Sequence, residues 1–180
     1  MEGIQDAQSN LKKRLFWSLF ALTLVVMAGL LWIGAPLKNE AAPDGILSFE
    51  FAGTVEAATR ILTAWGPEGR VHAGLSLGLD YLFLVLYPLS IGLACLLVAE
   101  GLKRRWAGLA KAGRVLAWAQ PVAGLLDAIE NFALIKLLLG STAPLWPTLA
   151  WWTALPKFLI VAAGLLYVLV GLVLRLLSRR

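Results

Sequence analysis

The chain is short of charge. Only 15% of its 180 residues are Asp, Glu, Lys or Arg, against roughly a quarter in a typical soluble domain. With a mean hydropathy of +0.77, an ordinary soluble domain is excluded. There is one cysteine, Cys95, and one histidine, His72. A lone cysteine forbids an intramolecular disulfide. Together the two are too few for the usual zinc, haem and di-iron ligand sets, so no metal is expected. No cofactor is expected either. No Gly-rich phosphate loop opens a helix, no serine stands in a nucleophile-elbow context, and no H-x-E deaminase pattern occurs. The absence of an internal repeat leaves a repeat-built carrier unsupported.

What the chain has is long apolar runs. About 20 mostly apolar residues cross a bilayer, and four runs of that kind can be placed, at about 16–36, 73–101, 115–140 and 147–174. Each is read as a helix, because backbone groups facing lipid must be satisfied within their own segment. The first follows Lys12-Lys13-Arg14 but is too long for a signal-peptide core, and no small-x-small cleavage site follows; it reads as a retained anchor. The expected fold is an all-α integral membrane protein: a single domain over 1–180, built as a four-transmembrane-helix bundle with one external amphipathic helix.

Basic residues orient it. Lys12, Lys13, Arg14, Lys103, Arg104, Arg105, Lys111, Arg114, Arg175, Arg179 and Arg180 make 11 of the 16 Lys and Arg, all on one side of these spans. The positive-inside rule then places both termini in the cytoplasm and residues 37–72 outside, in a membrane read as a bacterial plasma membrane. Trp17, Trp106 and Trp118 fall near one interface, and Trp32, Trp146, Trp151 and Trp152 near the other. This topology accounts for the net charge of +5, and no nucleic-acid partner is expected.

Within the external segment, Leu47, Phe49 and Phe51 alternate with Ser48 and Glu50, which predicts a short extended strand. Thr54 can cap a helix through about Trp65, whose Val55, Ala58, Ile61, Leu62 and Trp65 recur at helical spacing. Glu56 and Arg60 pair on another face. Gly66-Pro67 ends that helix, which would either cover a loop or close over an opening as a lid. His72 reads as an interfacial residue.

The stretch "GLLDAIENFAL" (124–134) sets polar groups at membrane depth. Gln120, Gly124, Asp127 and Asn131 share one helical face, bordered by Ala123 and Glu130. Such stripes mark a helix–helix interface or a cavity wall. Glu130 lies ten residues before Gly140 and Lys157 ten after Pro147. At 1.5 Å per residue, both sit about 15 Å below the ends of two antiparallel neighbours, so they should pair. Lys157 also heads a stripe of Val161, Gly164, Val168 and Gly171, suited to close packing. Lys136 should reach the headgroups instead. Asp80 sits in the outer half of the second span, with Tyr87 one heptad on and Pro88 expected to kink the helix. "GLSLG" (74–78) fits a small-xxx-small packing pattern.

A charge at helix centre costs about 2.5–3.5 kcal/mol on translocon scales, so carboxylates beyond what Lys157 can pair point to a polar cavity. The expected ligand-binding set is Asp80, Tyr87, Asp127, Glu130, Asn131 and Lys157. Four functions remain open: binding of a lipid headgroup or cationic small molecule in an outward-facing cavity; an enzyme acting on a lipid or isoprenoid, with Asp127, Glu130 and Lys157 as catalytic candidates; proton- or cation-coupled transport; and a structural subunit with a buried ion pair. Membrane lipids are the expected partners, and a homo-oligomer is compatible with each reading.

Overall fold

A computed structural model of the chain describes residues 2–177, with side chains from residue 10 onward; Arg179 and Arg180 lie outside the described residues. The chain is all-helical. Helix α1 spans Glu2–Gly34 and ends in a 3-10 turn, Ala35–Leu37. A five-residue helix α2, Ile46–Glu50, precedes the long α3, Val55–Leu102. Helices α4, Ala107–Leu138, and α5, Leu145–Leu177, complete the order.

Three segments are long and apolar enough to cross a membrane: Asn10–Leu37, α3 and α5. Their surfaces agree with that. Leu31 (70% exposed), Trp32 (81%) and Leu159 (63%) present large apolar side chains outward, a pattern foreign to soluble monomers. Helix α4, which carries Gln120, Asp127, Glu130 and Asn131, is not among these three segments, and Asp127, Glu130 and Lys136 interrupt its apolar run.

The expected strand at 47–51 is a helix instead. Phe51 N–H donates to the Leu47 carbonyl at 3.1 Å, closing a helical turn. The cause is backbone hydrogen bonding: among the described residues there is no strand to pair with, whereas one helical turn satisfies its groups locally. The alternation does not govern burial either, since the adjacent Phe49 and Glu50 are the buried pair.

Helix α3 begins as the capping argument expects, with Ala57 N–H donating to the Thr54 hydroxyl at 3.2 Å. Its dihedrals break once, at Gly66 (φ 61°, ψ −168°), a region open to glycine and strained for other residues. Helical structure resumes at Pro67, so the second span gains a turn and a half before Ala73, and continues through Pro88.

The described chain falls into two compact units. One comprises Leu24–Leu84 and Leu125–Lys157 and is here called the acidic unit. Its apolar core gathers Leu37, Phe49, Ile61, Leu62, Trp65, Leu77, Leu134 and Leu137. The apolar face of Val55–Trp65 is thus core rather than a free covering surface. Phe49 and Trp65 meet edge to face at 5.3 Å, and Trp65 Nε1 donates to the Leu37 carbonyl at 2.7 Å. The other unit comprises Met1–Thr23, Val85–Gly124 and Phe158–Arg180. Its core is built from Cys95, Val98, Ala99, Leu102, Ala110, Ala117 and Tyr167. Side chains here press on glycines: Tyr167 on Gly113, Val98 on Gly171, and Gln120 on Gly164, each closer than a Cβ would allow.

Candidate functional site: a buried carboxylate cluster and its cavity

The site lies in the acidic unit, and four segments build it. Helix α4 contributes Asp127, Glu130 and Asn131, which sit on one face because they are three and four residues apart. Helix α5 contributes Lys157, directly after Pro156. Helix α3 contributes Asp80. The fourth segment, α2, contributes Glu50 and is steered inward by the turn before it. There Asn39 accepts the Ala41 and Ala42 N–H groups at 3.0 and 2.9 Å, and Gly45 takes φ 63° at the helix start.

Lys157 is the focus. Its Nζ stands 2.8 Å from Glu130 Oε2, 2.9 Å from Asp127 Oδ1 and 3.7 Å from Glu50 Oε2. All four residues are buried, Glu130 completely. The matched ten-residue spacing across the α4–α5 turn thus does bring Glu130 and Lys157 together. Asp127 shares the ammonium with them.

Asp80 and Asn131 form a second pair, the Asn131 side-chain amide donating to Asp80 Oδ2 at 2.6 Å. Both line a cavity of about 330 Å³. Its polar wall holds Glu50, Asp80, Asn131 and Ser76; its apolar wall holds Met27, Leu30, Leu31, Ile46, Leu77 and Phe83; the exposed Lys38 and Asp44 also border it. Glu50 therefore belongs to both features, facing the cavity and closing the cluster around Lys157.

Burial raises the Glu50 carboxyl above the ordinary carboxylate value. The Lys157 ammonium and the neighbouring Glu130 pull it back, and the Asp127 charge adds to the rise. The result is a carboxyl held closer to its neutral form than a surface glutamate.

Of the six residues expected at the site, Asp80, Asp127, Glu130, Asn131 and Lys157 lie in the acidic unit. Tyr87 lies in the other unit, as a buried residue, and does not border this cavity. The sequence reading missed Glu50. The signal that could have found it is its setting, a single carboxylate between Phe49 and Phe51 in an otherwise solvated acidic segment. Lys136 keeps to its own helix, with Nζ 5.1 Å from the Phe132 ring centre. His72 Nδ1 approaches the Ile33 carbonyl at 3.0 Å, tying α3 to the end of α1. Among the described residues no group of three or more His, Cys, Asp or Glu side chains is placed to hold a metal ion; in this cluster the Lys157 ammonium occupies the centre.

Chemically, three carboxylates, those of Glu50, Asp127 and Glu130, share the Lys157 ammonium, and a fourth, that of Asp80, is met by the Asn131 amide. Leaving negative charge uncompensated in a low-dielectric interior costs several kcal/mol per ion, a cost that a positively charged guest would offset. No protein-family model, curated protein or solved structure matches this chain.

Proposed function

We propose that the protein is a four-span membrane protein that binds a cationic small molecule or lipid headgroup in its acidic cavity. The observation that carries this reading is the wall shared by Glu50, Asp80 and Asn131 opposite apolar side chains, in a pocket also bordered by Ser76 and the exposed Lys38 and Asp44. A positive group held there would meet two carboxylates, while an attached chain would lie along Met27, Leu30 and Leu31. Helix α4 is the fourth span on this reading. Its polar stripe turns to the cluster, and Trp118 (78% exposed) and Leu139 (78%) face outward as lipid-facing groups do. The basic flanks put both termini in the cytoplasm and the 37–72 segment, with the cavity, on the opposite side.

The test uses the full chain in a neutral maltoside detergent, with dodecylammonium as probe and dodecanol as its uncharged analogue. Dodecylammonium should raise the thermal midpoint saturably, since a ligand at a hundred times its Kd stabilises by about 2.7 kcal/mol. Dodecanol should not, and Asp80→Asn should weaken the effect at least tenfold. Equal shifts from both probes, or a shift untouched by Asp80→Asn, would remove the binding reading and leave the carboxylates as internal structure.

A further inference from the structure

The second unit holds a larger, partly open cavity, about 530 Å³, bordered by α1, α3 and α5. Its walls are apolar, formed by Phe16, Leu97, Val98 and Leu172, and the charged residues bordering it are Lys13, Glu100 and Arg175. Glu100 is already paired with Lys12. Lys12, Lys13 and Arg175 against Glu100 leave a local excess of two positive charges. The Arg175 guanidinium packs on Gly101, and its Nη1 donates to the Leu97 carbonyl at 3.3 Å. Five N–H donors are available on a guanidinium, and one is used in that bond. Trp17, 63% exposed, borders the same cavity with an amphipathic ring suited to a membrane interface.

A cation pair beside an apolar slot, on helices that are long and apolar enough to cross a membrane, fits an amphiphile with a negative head. We infer that this cavity is a binding site for an anionic phospholipid, with the phosphate at Lys13 and Arg175 and acyl chain against Phe16, Val98 and Leu172. The volume lies within the range of small-molecule sites. The site shares no residue with the acidic cavity and stands or falls apart from it.

Native mass spectrometry of the full chain in maltoside detergent, titrated with phosphatidylglycerol or phosphatidylcholine, tests it. Phosphatidylglycerol should bind more tightly, and Lys13→Gln and Arg175→Gln should each weaken it about fivefold, as expected for one basic residue at an anionic headgroup. Phosphatidylcholine, whose choline offsets its phosphate charge, should lose less, so that the preference for phosphatidylglycerol narrows. The double variant Lys103→Gln/Arg104→Gln, which removes two exposed charges outside the cavity, should leave the preference in place. An equal loss in that control would assign the preference to diffuse surface charge and overturn the site. Full competition by millimolar inorganic phosphate would reassign it to a free anion and also overturn the lipid. Should Arg175→Gln fail to fold, the exposed Lys13 decides through Lys13→Gln, and Ala94→Phe, which fills the slot, should abolish phosphatidylglycerol binding.

Discussion

The two compact units solve the same packing problem with opposite materials. The acidic unit inserts Asp127, Glu130 and Lys157 among apolar side chains and balances them against each other. The other unit brings its helices into contact through glycine: Gly113 receives Tyr167, Gly171 receives Val98, and Gly164 receives Gln120, whose Nε2 donates to the Leu116 and Ile160 carbonyls at 3.3 and 3.2 Å. Close helix approach through small residues is the inexpensive route in a membrane, where dispersion and hydrogen bonding replace the hydrophobic drive. Glycine and amide contacts would therefore have sufficed for adhesion in both units. Among the described residues, buried charge is confined to the acidic unit, and that is the reason to seek the functional site there.

The largest expected effect lies in the ion cluster. Glu130→Gln and Lys157→Met should each lower unfolding stability in detergent by about 3–5 kcal/mol, because each strands a buried partner. The double variant should recover much of the loss. Additive losses would mean that the pair is not energetically coupled, and the contrast between the units would lose its main support. If the double variant regains stability but not dodecylammonium binding, the cluster is functional as well as structural.

An intermediate effect is expected in the glycine contacts. Gly171→Ala places a methyl group against Val98 and should cost about 1–3 kcal/mol as overpacking. Val98→Ala in the same chain should offset part of that. The loss should be insensitive to salt and pH, since no charge is involved; a marked pH dependence would show that the two units are not built on different principles.

The smallest effect is expected where charge is exposed. Lys12 and Glu100 form an ion pair at the surface, each about half exposed. Lys12→Gln should change stability by less than about 1 kcal/mol and by less still in 0.5 M salt. A large, salt-resistant loss would show that this second unit also relies on charge, and would blur the comparison from the other side.

Much of the architecture was legible in the residues. The apolar runs announced long helices, the Thr54 hydroxyl marked a helix start, and Gly66-Pro67 marked the one break inside α3. These are local matters of hydrogen bonding and backbone freedom, which neighbours in sequence decide. The pairing of Glu130 with Lys157 was legible too, since a short turn between antiparallel helices makes counted depth a reliable guide. The extended reading of 47–51 failed because alternation over five residues is a weak signal when no partner strand exists.

By itself, then, the sequence determined that this is a helical chain with membrane-length apolar segments, and that α4 carries a polar stripe that must find company. Only the tertiary structure decided what that company is. Glu50 arrives from 77 positions before Asp127, carried in by a turn at Asn39 and Gly45, and no periodicity in either segment encodes that meeting. Asp80 meets Asn131 in the same way, across 51 positions. Tyr87, one heptad from Asp80 on the same helix, belongs to the other unit. Periodicity specifies which face of a helix a residue occupies; which neighbour covers that face is set by long-range packing of the whole chain.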